Sequence, residues 1–392
     1  MWIPREIFNK IRGLVTQYPI LILTGARQTG KTSLFKRHFP EMSFVSLDLP
    51  SHAELAEKDP ETFLKRFPPP VIIDEVQYAP ALFRYLKFFV DQNRDHYGQF
   101  LLTGSQKYTL MKNISESLAG RCVLFELDTL SFLEIQNCQK HSDVLTTIVR
   151  GGFPELHART ELETDPFYNS YLATYLERDV RSLLKLGQLR DFERFIRVCA
   201  LRSAQLLNKS ELAKDVGISP STANEWLSVL EASNQIHLLE PWFENKTKSL
   251  IKSPKLYFGD SGLLCHLLGI TTVEELEKSP LKGAIWESFV FLELKKRFSF
   301  SKNPKKLWLW RDRYGLESDF LIHKGGRYEL YEAKFSENPN FSDVKSLLKI
   351  EKVLGTENIH QISVICRTKI PYPLKENIIA TNLLELKVGE VS

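Results

Sequence analysis

The sequence predicts an α/β fold: a parallel sheet covered by helices, then a helical segment, a helix–turn–helix with a β-ribbon, and a second α/β unit. Three changes of pattern along the chain carry this. Between residues 19 and 130, short apolar runs of strand type (PILILTG, FVSLDL, VIIDEV, FLLTGS) alternate with runs at helical spacing (SLFKRHF, a stretch ending in KRF, LFRYLKFFV). Continuous apolar strands between amphipathic helices are what a sheet buried on both faces requires. From about 131 to 205 no comparable strand occurs, and YNSYLATYLERDVRSLLKLG and FERFIRVCALRSAQLL read as helices. Beyond 208 the order is KSELAKDVG, a break at Ile218 to Pro220, STANEWLSVLEASN, then the strand-like IHLLEPW and SPKLYF, a winged-helix pattern. Residues 283–392 open with a helix (AIWESFVFLELKKRF) and continue as strands KLWLW, SDFLI, YELYEA and ISVIC, with helices expected between them. The expected divisions are 1–150, 151–205, 206–275 and 283–392.

The bulk numbers agree with such a chain. At 392 residues it exceeds what one core usually supports, and 43% hydrophobic with 26% charged residues is an ordinary globular composition. A formal net charge of +4 tolerates a nucleic-acid partner without demanding one. The five cysteines are scattered, with no C-x-x-C pair and no spacing that suggests zinc, which fits a reducing compartment. MWIPREIFNKIRG carries charges where a signal peptide needs an apolar core, and no apolar run approaches the ~18 residues of a membrane span. A soluble, cytoplasmic protein with no membrane partner is the expectation.

Between the first strand and first helix lies GARQTGKTS, which fits G-x-x-x-x-G-K-S/T with Gly25, Gly30, Lys31 and Thr32 at the fixed places. Strand, glycine loop and helix together cradle a phosphate. The expected nucleotide-binding stretch is Gly25, Ala26, Arg27, Gln28, Thr29, Gly30, Lys31, Thr32 and Ser33. Backbone N–H groups of residues 27 to 32 would point inward at the helix N-terminus, Lys31 would contact the β and γ phosphates, and the Thr32 hydroxyl would sit on magnesium. VIIDEV then supplies Asp74 at a strand end to bind magnesium, directly or through water, and Glu75 to align or polarise the attacking water. Thr103 and Ser105 end the strand FLLTGS; they suit γ-phosphate sensing or simple strand-end capping. Arg121, in SLAGRC, suits an arginine finger acting in its own subunit or a neighbour's, or an ordinary surface arginine. ATP and Mg2+ are therefore the expected cofactors.

GARQTGKT, VIIDEVQ, LLTGSQ, SLAGR, GGFPE at 151 to 155 and YLATYLERDV at 171 to 180, in that order, resemble the prokaryotic AAA-type ATPases that carry a C-terminal domain of unknown function. The resemblance covers nearly the whole chain. It implies an ASCE-class P-loop ATPase core, a helical segment, a winged helix and a PD-(D/E)XK nuclease-like terminal domain. It also implies Walker roles for Lys31, Thr32, Asp74 and Glu75 and a sensor role for Ser105. No second sensor arginine stands out in the helical segment; Arg178 is the nearest candidate.

Charge argues against major-groove reading by the winged helix. Its second helix, SPSTANEWLSVLEA, contains no Lys or Arg but carries Glu225 and Glu231, whereas groove binding is dominated by cations on phosphates. The wing is better supplied, with Lys246, Lys248, Lys252 and Lys255 against Glu244, so it could touch a nucleic-acid backbone nonspecifically. Trp226, Leu227 and Leu230 share one helical face and read as core. In the terminal domain the candidate nuclease-like site is Glu287 on the first helix, Asp319 on SDFLI, and Glu332 with Lys334 on YELYEAKF, where residues two apart face the same side. Such carboxylates would hold magnesium while the lysine orients a water. Lys295, Lys296, Arg297, Lys302, Lys305, Lys306, Arg311 and Arg313, against the single Asp312, suit a nucleic-acid backbone or a solvated face. The reading is thus a magnesium-dependent ATPase. The alternatives are a slow nucleotide switch that recruits a protein or DNA partner, and an ATP-gated nuclease.

Overall fold

The computed structural model describes residues 1–105, 117–139, 142–176, 180, 189–242, 253–301 and 304–386. They form two compact units, one built from residues 1–130, 153–160 and 229–235, the other from 131–152, 161–228 and 236–392.

The first unit is organised by five parallel strands, β1 (Ile20–Thr24), β2 (Ser43–Ser46), β3 (Val71–Asp74), β4 (Phe100–Gly104) and β5 (Cys122–Glu126), in the order β2-β3-β4-β1-β5. Every residue of β1, β3 and β4 is buried, which is why these segments read as unbroken apolar runs. Ile20, Ile22, Ile73 and Leu102 face one side and pack with Phe63, Phe83 and Leu86 from the helices Pro60–Arg66 and Pro80–Gln92. The edge strands β2 and β5 are only partly buried. Because the strands are parallel, the loops after β1, β3 and β4 leave the same edge of the sheet, with β4 lying between β1 and β3.

The second unit is helical at first, with helices Phe132–Cys138, Val144–Arg150, Thr164–Tyr175 and Leu189–Leu201. Strand β6 (Gln205–Leu206), helix Lys209–Val216 and helix Pro220–Ala232 follow, the last shared with the first unit. Strands β7 (Ile236–Leu239) and β8 (Lys255–Phe258) pair antiparallel, and β6 lies on the other side of β8. Trp226 is buried with its ring edge-on to Phe192 and Phe195 at centroid distances of 5.2 and 5.3 Å, so this face is core, as its helical spacing suggested.

The two glycines of GGFPE, Gly151 and Gly152, have a close-packing explanation within this unit. Gly151 has φ +76°, and a Cβ there would collide with Tyr168 Oη and Asp260 Oδ1. Asp260 accepts from Tyr168 Oη at 2.9 Å and from the Gly152 N–H at 2.8 Å while capping the helix Ser261–Leu267.

A six-stranded mixed sheet closes the chain: β9 (Leu307–Arg311), β10 (Glu317–Lys324), β11 (Arg327–Ala333), β12 (Ile359–Ile365), β13 (Tyr372–Lys375) and β14 (Ile378–Thr381), in the order β13-β14-β12-β11-β10-β9. The expectation of helices between all its early strands is corrected. β9, β10 and β11 form an antiparallel meander, and Gly325 and Gly326, at φ +59° and +77°, turn β10 directly into β11. Only the crossover from β11 to the parallel β12 carries a helix, Lys345–Leu354, whose Leu347 and Ile350 pack on Leu321, Leu330 and Ile362.

Candidate functional site

The loop after β1 is shaped by two glycines that no other residue could replace without strain. Gly25 has φ +148°, and a Cβ there would overlap the carbonyl oxygen of Leu127. Gly30 has φ +91° and is the N-cap of the helix Lys31–His38. Between them the buried Thr29 folds its hydroxyl onto the Ala26 carbonyl at 3.0 Å. Lys31 is 6% exposed and turns its ammonium back into the loop, donating to the carbonyls of Gly25 at 3.0 Å and Ala26 at 2.7 Å. Pro154 approaches the open side of Gly30, its Cγ lying 4.0 Å from where a Cβ would stand.

Asp74 ends β3 and gathers hydroxyls from both other elements. Thr32 Oγ1 donates to Asp74 Oδ1 at 2.8 Å, and Thr103 Oγ1, from β4, donates to the same oxygen. Glu75 follows in the left-handed region, at φ +55°, which turns its side chain off the strand direction. Its Oε2 accepts from Gln77 Nε2 and from Ser105 Oγ, the latter at 3.4 Å. Burial pushes the Glu75 carboxyl above its usual range, against the lowering pull of Gln77 and of the Lys31 charge.

Two contributors were invisible in the motif. Arg5, buried at the start of the chain, donates from Nη1 to the Thr29 carbonyl at 2.9 Å and from Nη2 to the Asp128 carbonyl at 2.6 Å, so it braces the loop from behind. Gln77 holds Glu75; the only signal for it was the last letter of VIIDEVQ.

The residues present fit a nucleotide and its metal. The glycine cradle is closed to side chains, and a hydroxyl and a carboxylate suited to a hard cation already touch. Thr24 Oγ1 and Gln77 Oε1 are buried with no hydrogen-bond partner among the described residues. Ser33, by contrast, is exposed on the outer face of the helix.

Arg121 requires a correction. It immediately precedes β5, whose Cys122 is in register with Ile20, whereas the loop leaves β1 after Thr24. Five strand residues, about 17 Å at ~3.3 Å each, separate it from the loop edge. Its guanidinium is committed to a two-pronged ion pair with Asp91, at 2.7 and 2.9 Å. A finger role in its own subunit is excluded by this placement.

In the terminal domain, β10 and β11 bring Asp319 and Glu332 to neighbouring positions, since Phe320 pairs with Tyr331. Lys334 Nζ donates to Glu332 Oε1 at 2.9 Å. Glu287, on the helix Lys282–Phe300, joins them through a residue assigned to the wing. Lys255 Nζ donates to Glu287 Oε1 at 2.8 Å and to Asp319 Oδ1 at 3.2 Å, and it also pairs with Glu317. Lys255 is 3% exposed, so the expectation that it touches a nucleic-acid backbone is overturned. Lys246, Lys248, Lys252, Glu244, Lys302 and Arg178 lie outside the described residues.

The cationic run 295–313 is corrected in the same way. Lys296 pairs with Glu293 and Lys305 with Glu329, both buried, and Arg311 pairs with Glu317. Arg297 donates to the carbonyls of Leu383 and Leu386. Lys306 lies 3.9 Å over the Trp308 ring. Most of these charges are consumed by the fold.

A glycine loop between a parallel strand and its helix, faced by an acidic strand end, defines the phosphate-loop class of α/β proteins. Residues 17–138 match the family model of an AAA domain, residues 141–274 that of a domain of unknown function, DUF8612, and residues 282–386 that of another, DUF4143. None of these descriptions names a winged helix or a nuclease. An uncharacterized protein of Mycobacterium tuberculosis, Rv2008c, is 30% identical over 380 residues, covering 96% of this chain and 82% of its own length. MJ1544, an uncharacterized protein of Methanocaldococcus jannaschii, is 26% identical over 377 residues, covering 87% of this chain and 80% of its own length. The chain belongs to the family of Rv2008c, and in it an AAA domain is followed by DUF8612 and DUF4143. The Holliday junction branch migration motor RuvB of Thermotoga maritima aligns with 60% of this chain and 89% of its own at 18% identity and a TM-score of 0.32, too slight a likeness to bear on fold or activity. Among the described residues no helix is long and apolar enough to cross a membrane.

Proposed function

We propose that the chain binds ATP with magnesium in the Gly25–Thr32 loop and hydrolyses it. The observation that carries this is the junction of Thr32, Asp74 and Thr103, three side chains from three elements meeting at one carboxylate oxygen beside a loop whose glycines admit only backbone. Lys31 would exchange its two loop carbonyls for phosphate oxygens, and the N–H groups at the start of the helix would face the same anion. Thr32 and Asp74 would hold the metal, which would neutralise charge on the phosphates. Glu75 would orient the attacking water, with Gln77 and Ser105 fixing its carboxylate. ATP turnover by the intact chain, compared with Lys31→Ala and Glu75→Gln, tests the reading: both variants should fall by at least a hundredfold, and turnover equal to wild type in Lys31→Ala removes it.

A second reading, a nucleotide switch with slow turnover, is favoured by the engagement of Glu75 with Gln77 and Ser105, which competes with its contact to water. Tight ATP binding with release of one phosphate per chain and no further turnover would select it. The winged-helix reading rests on the two helices of 209–232 and the β7–β8 ribbon. A DNA-reading role has little support, since the second of these helices lacks cations and Lys255 is buried.

A further inference from the structure

The expectation of magnesium on Glu287, Asp319 and Glu332 does not fit the geometry of the terminal sheet. Oxygens bound to one Mg2+ lie about 2.1 Å from it, and so no more than about 4.2 Å from one another. Among the described residues, no three of these carboxylates and their neighbour Glu317 bring ligand oxygens within 4.8 Å of one another. What stands among them is an ammonium. Lysine has three N–H donors, and Lys255 directs them at Glu287 at 2.8 Å, at Asp319 at 3.2 Å and at Glu317. The second oxygen of Asp319 accepts the Ala333 N–H at 3.0 Å, and Glu287 also accepts from Tyr257 Oη at 2.7 Å. Arg311 on Glu317 and Lys334 on Glu332 bring the cations facing the four carboxylates to three, so a divalent ion would overshoot the balance.

That ammonium enters from a different stretch of sequence. Lys255 opens β8, within 141–274, whereas all four carboxylates lie within 282–386. The same two stretches meet through three further kinds of contact. Tyr257 stacks on Phe291, with ring centroids 4.3 Å apart and planes 12° from parallel. The buried hydroxyls of Ser203 and Ser288 lie 2.9 Å apart. Residues 240–242 pair with β9, where the Leu309 N–H donates to the Glu240 carbonyl at 2.9 Å and the Leu309 carbonyl accepts from the Trp242 N–H at 2.6 Å. The edge of the terminal sheet is therefore covered by backbone from the preceding module.

We propose that Lys255 is the permanent cation of this centre, and that the acidic face of the terminal sheet is the seat of the 141–274 module rather than a metal-dependent hydrolytic site. The three carboxylates that grip Lys255 reach their counter-charge only when β8 is seated, so 141–274 and 282–386, two modules in sequence, fold as one cooperative unit. Their residues accordingly fall together in the second compact unit, apart from the stretches 153–160 and 229–235. Removing the ammonium strands buried carboxylates on the far side of the junction, and the loss is felt by both modules. This inference concerns a different part of the chain from the phosphate loop and stands independently of the ATPase reading.

The test is hydrogen exchange of the full chain, resolved by mass spectrometry, together with Mn2+ binding by electron paramagnetic resonance in an Asp74→Asn background that silences the loop. Lys255→Met should speed exchange at least tenfold in both β7–β8 and β10–β11 while leaving β1, β3 and β4 unchanged. Lys255→Met/Asp319→Asn, which also removes one of the stranded charges, should exchange more slowly than Lys255→Met at the same strands, and a single variant that does not fold beside a double variant that does is the same result in stronger form. The Asp74→Asn chain should show no submillimolar Mn2+ site that Asp319→Asn abolishes. Faster exchange confined to β7–β8, a double variant no better protected than the single one, or a submillimolar Mn2+ site lost in Asp319→Asn each overturns the proposal.

Discussion

Two buried lysines, Lys31 and Lys255, show how the same side chain is put to opposite uses. Lys31 points its ammonium at two carbonyls of its own loop, neutral acceptors whose hydrogen bonds to the charged donor are each worth about 1.5–3 kcal/mol net and exchange for stronger ones to phosphate, where both partners are charged. Lys255 is gripped by three carboxylates. Burial alone would lower the Lys255 pKa, but Tyr257, Asp319, Glu287 and Glu317 outweigh it and hold the ammonium charged well above its ordinary range. The first arrangement keeps a cation ready to be handed over; the second spends the cation on balancing charge inside the fold.

The sharpest way to break this contrast is to remove each ammonium. Lys255→Met leaves carboxylates buried without their counter-ion and should cost about 3–5 kcal/mol of stability, read as a shift in the urea midpoint of the second unit. Lys31→Ala should shift the urea midpoint of its own unit, the first, far less, while lowering ATP turnover at least a hundredfold, about 2.7 kcal/mol of transition-state stabilisation. Equal destabilisation by the two substitutions would erase the distinction.

Smaller changes sharpen it. Asp260, a buried carboxylate served by hydroxyl and N–H donors rather than a lysine, should lose about 1–2 kcal/mol of support in Tyr168→Phe, well under the loss at Lys255. The least effect is expected at His266, which stacks on Tyr168. Burial lowers its pKa despite the raising influence of Asp165. A lowered folded pKa means the unfolded chain binds the proton more readily, so stability is full above about pH 6.5 and falls as pH drops below that value. His266→Gln should flatten that fall in urea titrations across the same range.

What was legible in the sequence was local. Gly25 to Thr32 and Asp74 announce themselves because their spacing is set by one loop and one strand end, and Glu332 with Lys334 because strand alternation is short-ranged. Arg5 was not legible, since its acceptors lie 24 and 123 residues away. Nor was the role of Lys255, which is 64 residues from Asp319. The cations of 295–313 misled for the same reason: a run of like charges looks like a solvent face until the carboxylates that meet it, such as Glu293, Glu317 and Glu329, are placed by tertiary packing. The helices expected between β9, β10 and β11 failed on a turn, the Gly325–Gly326 pair, which two positive φ values make sufficient by itself.

Arg5 carries a practical consequence for anyone excising the N-terminal domain. The AAA match begins at residue 17, so a fragment cut at that boundary would discard the guanidinium that supports Thr29 from below. Its loop would keep every letter of the motif and lose the strut behind it, and weak nucleotide affinity in such a fragment would report the missing first helix rather than the chemistry of the intact chain.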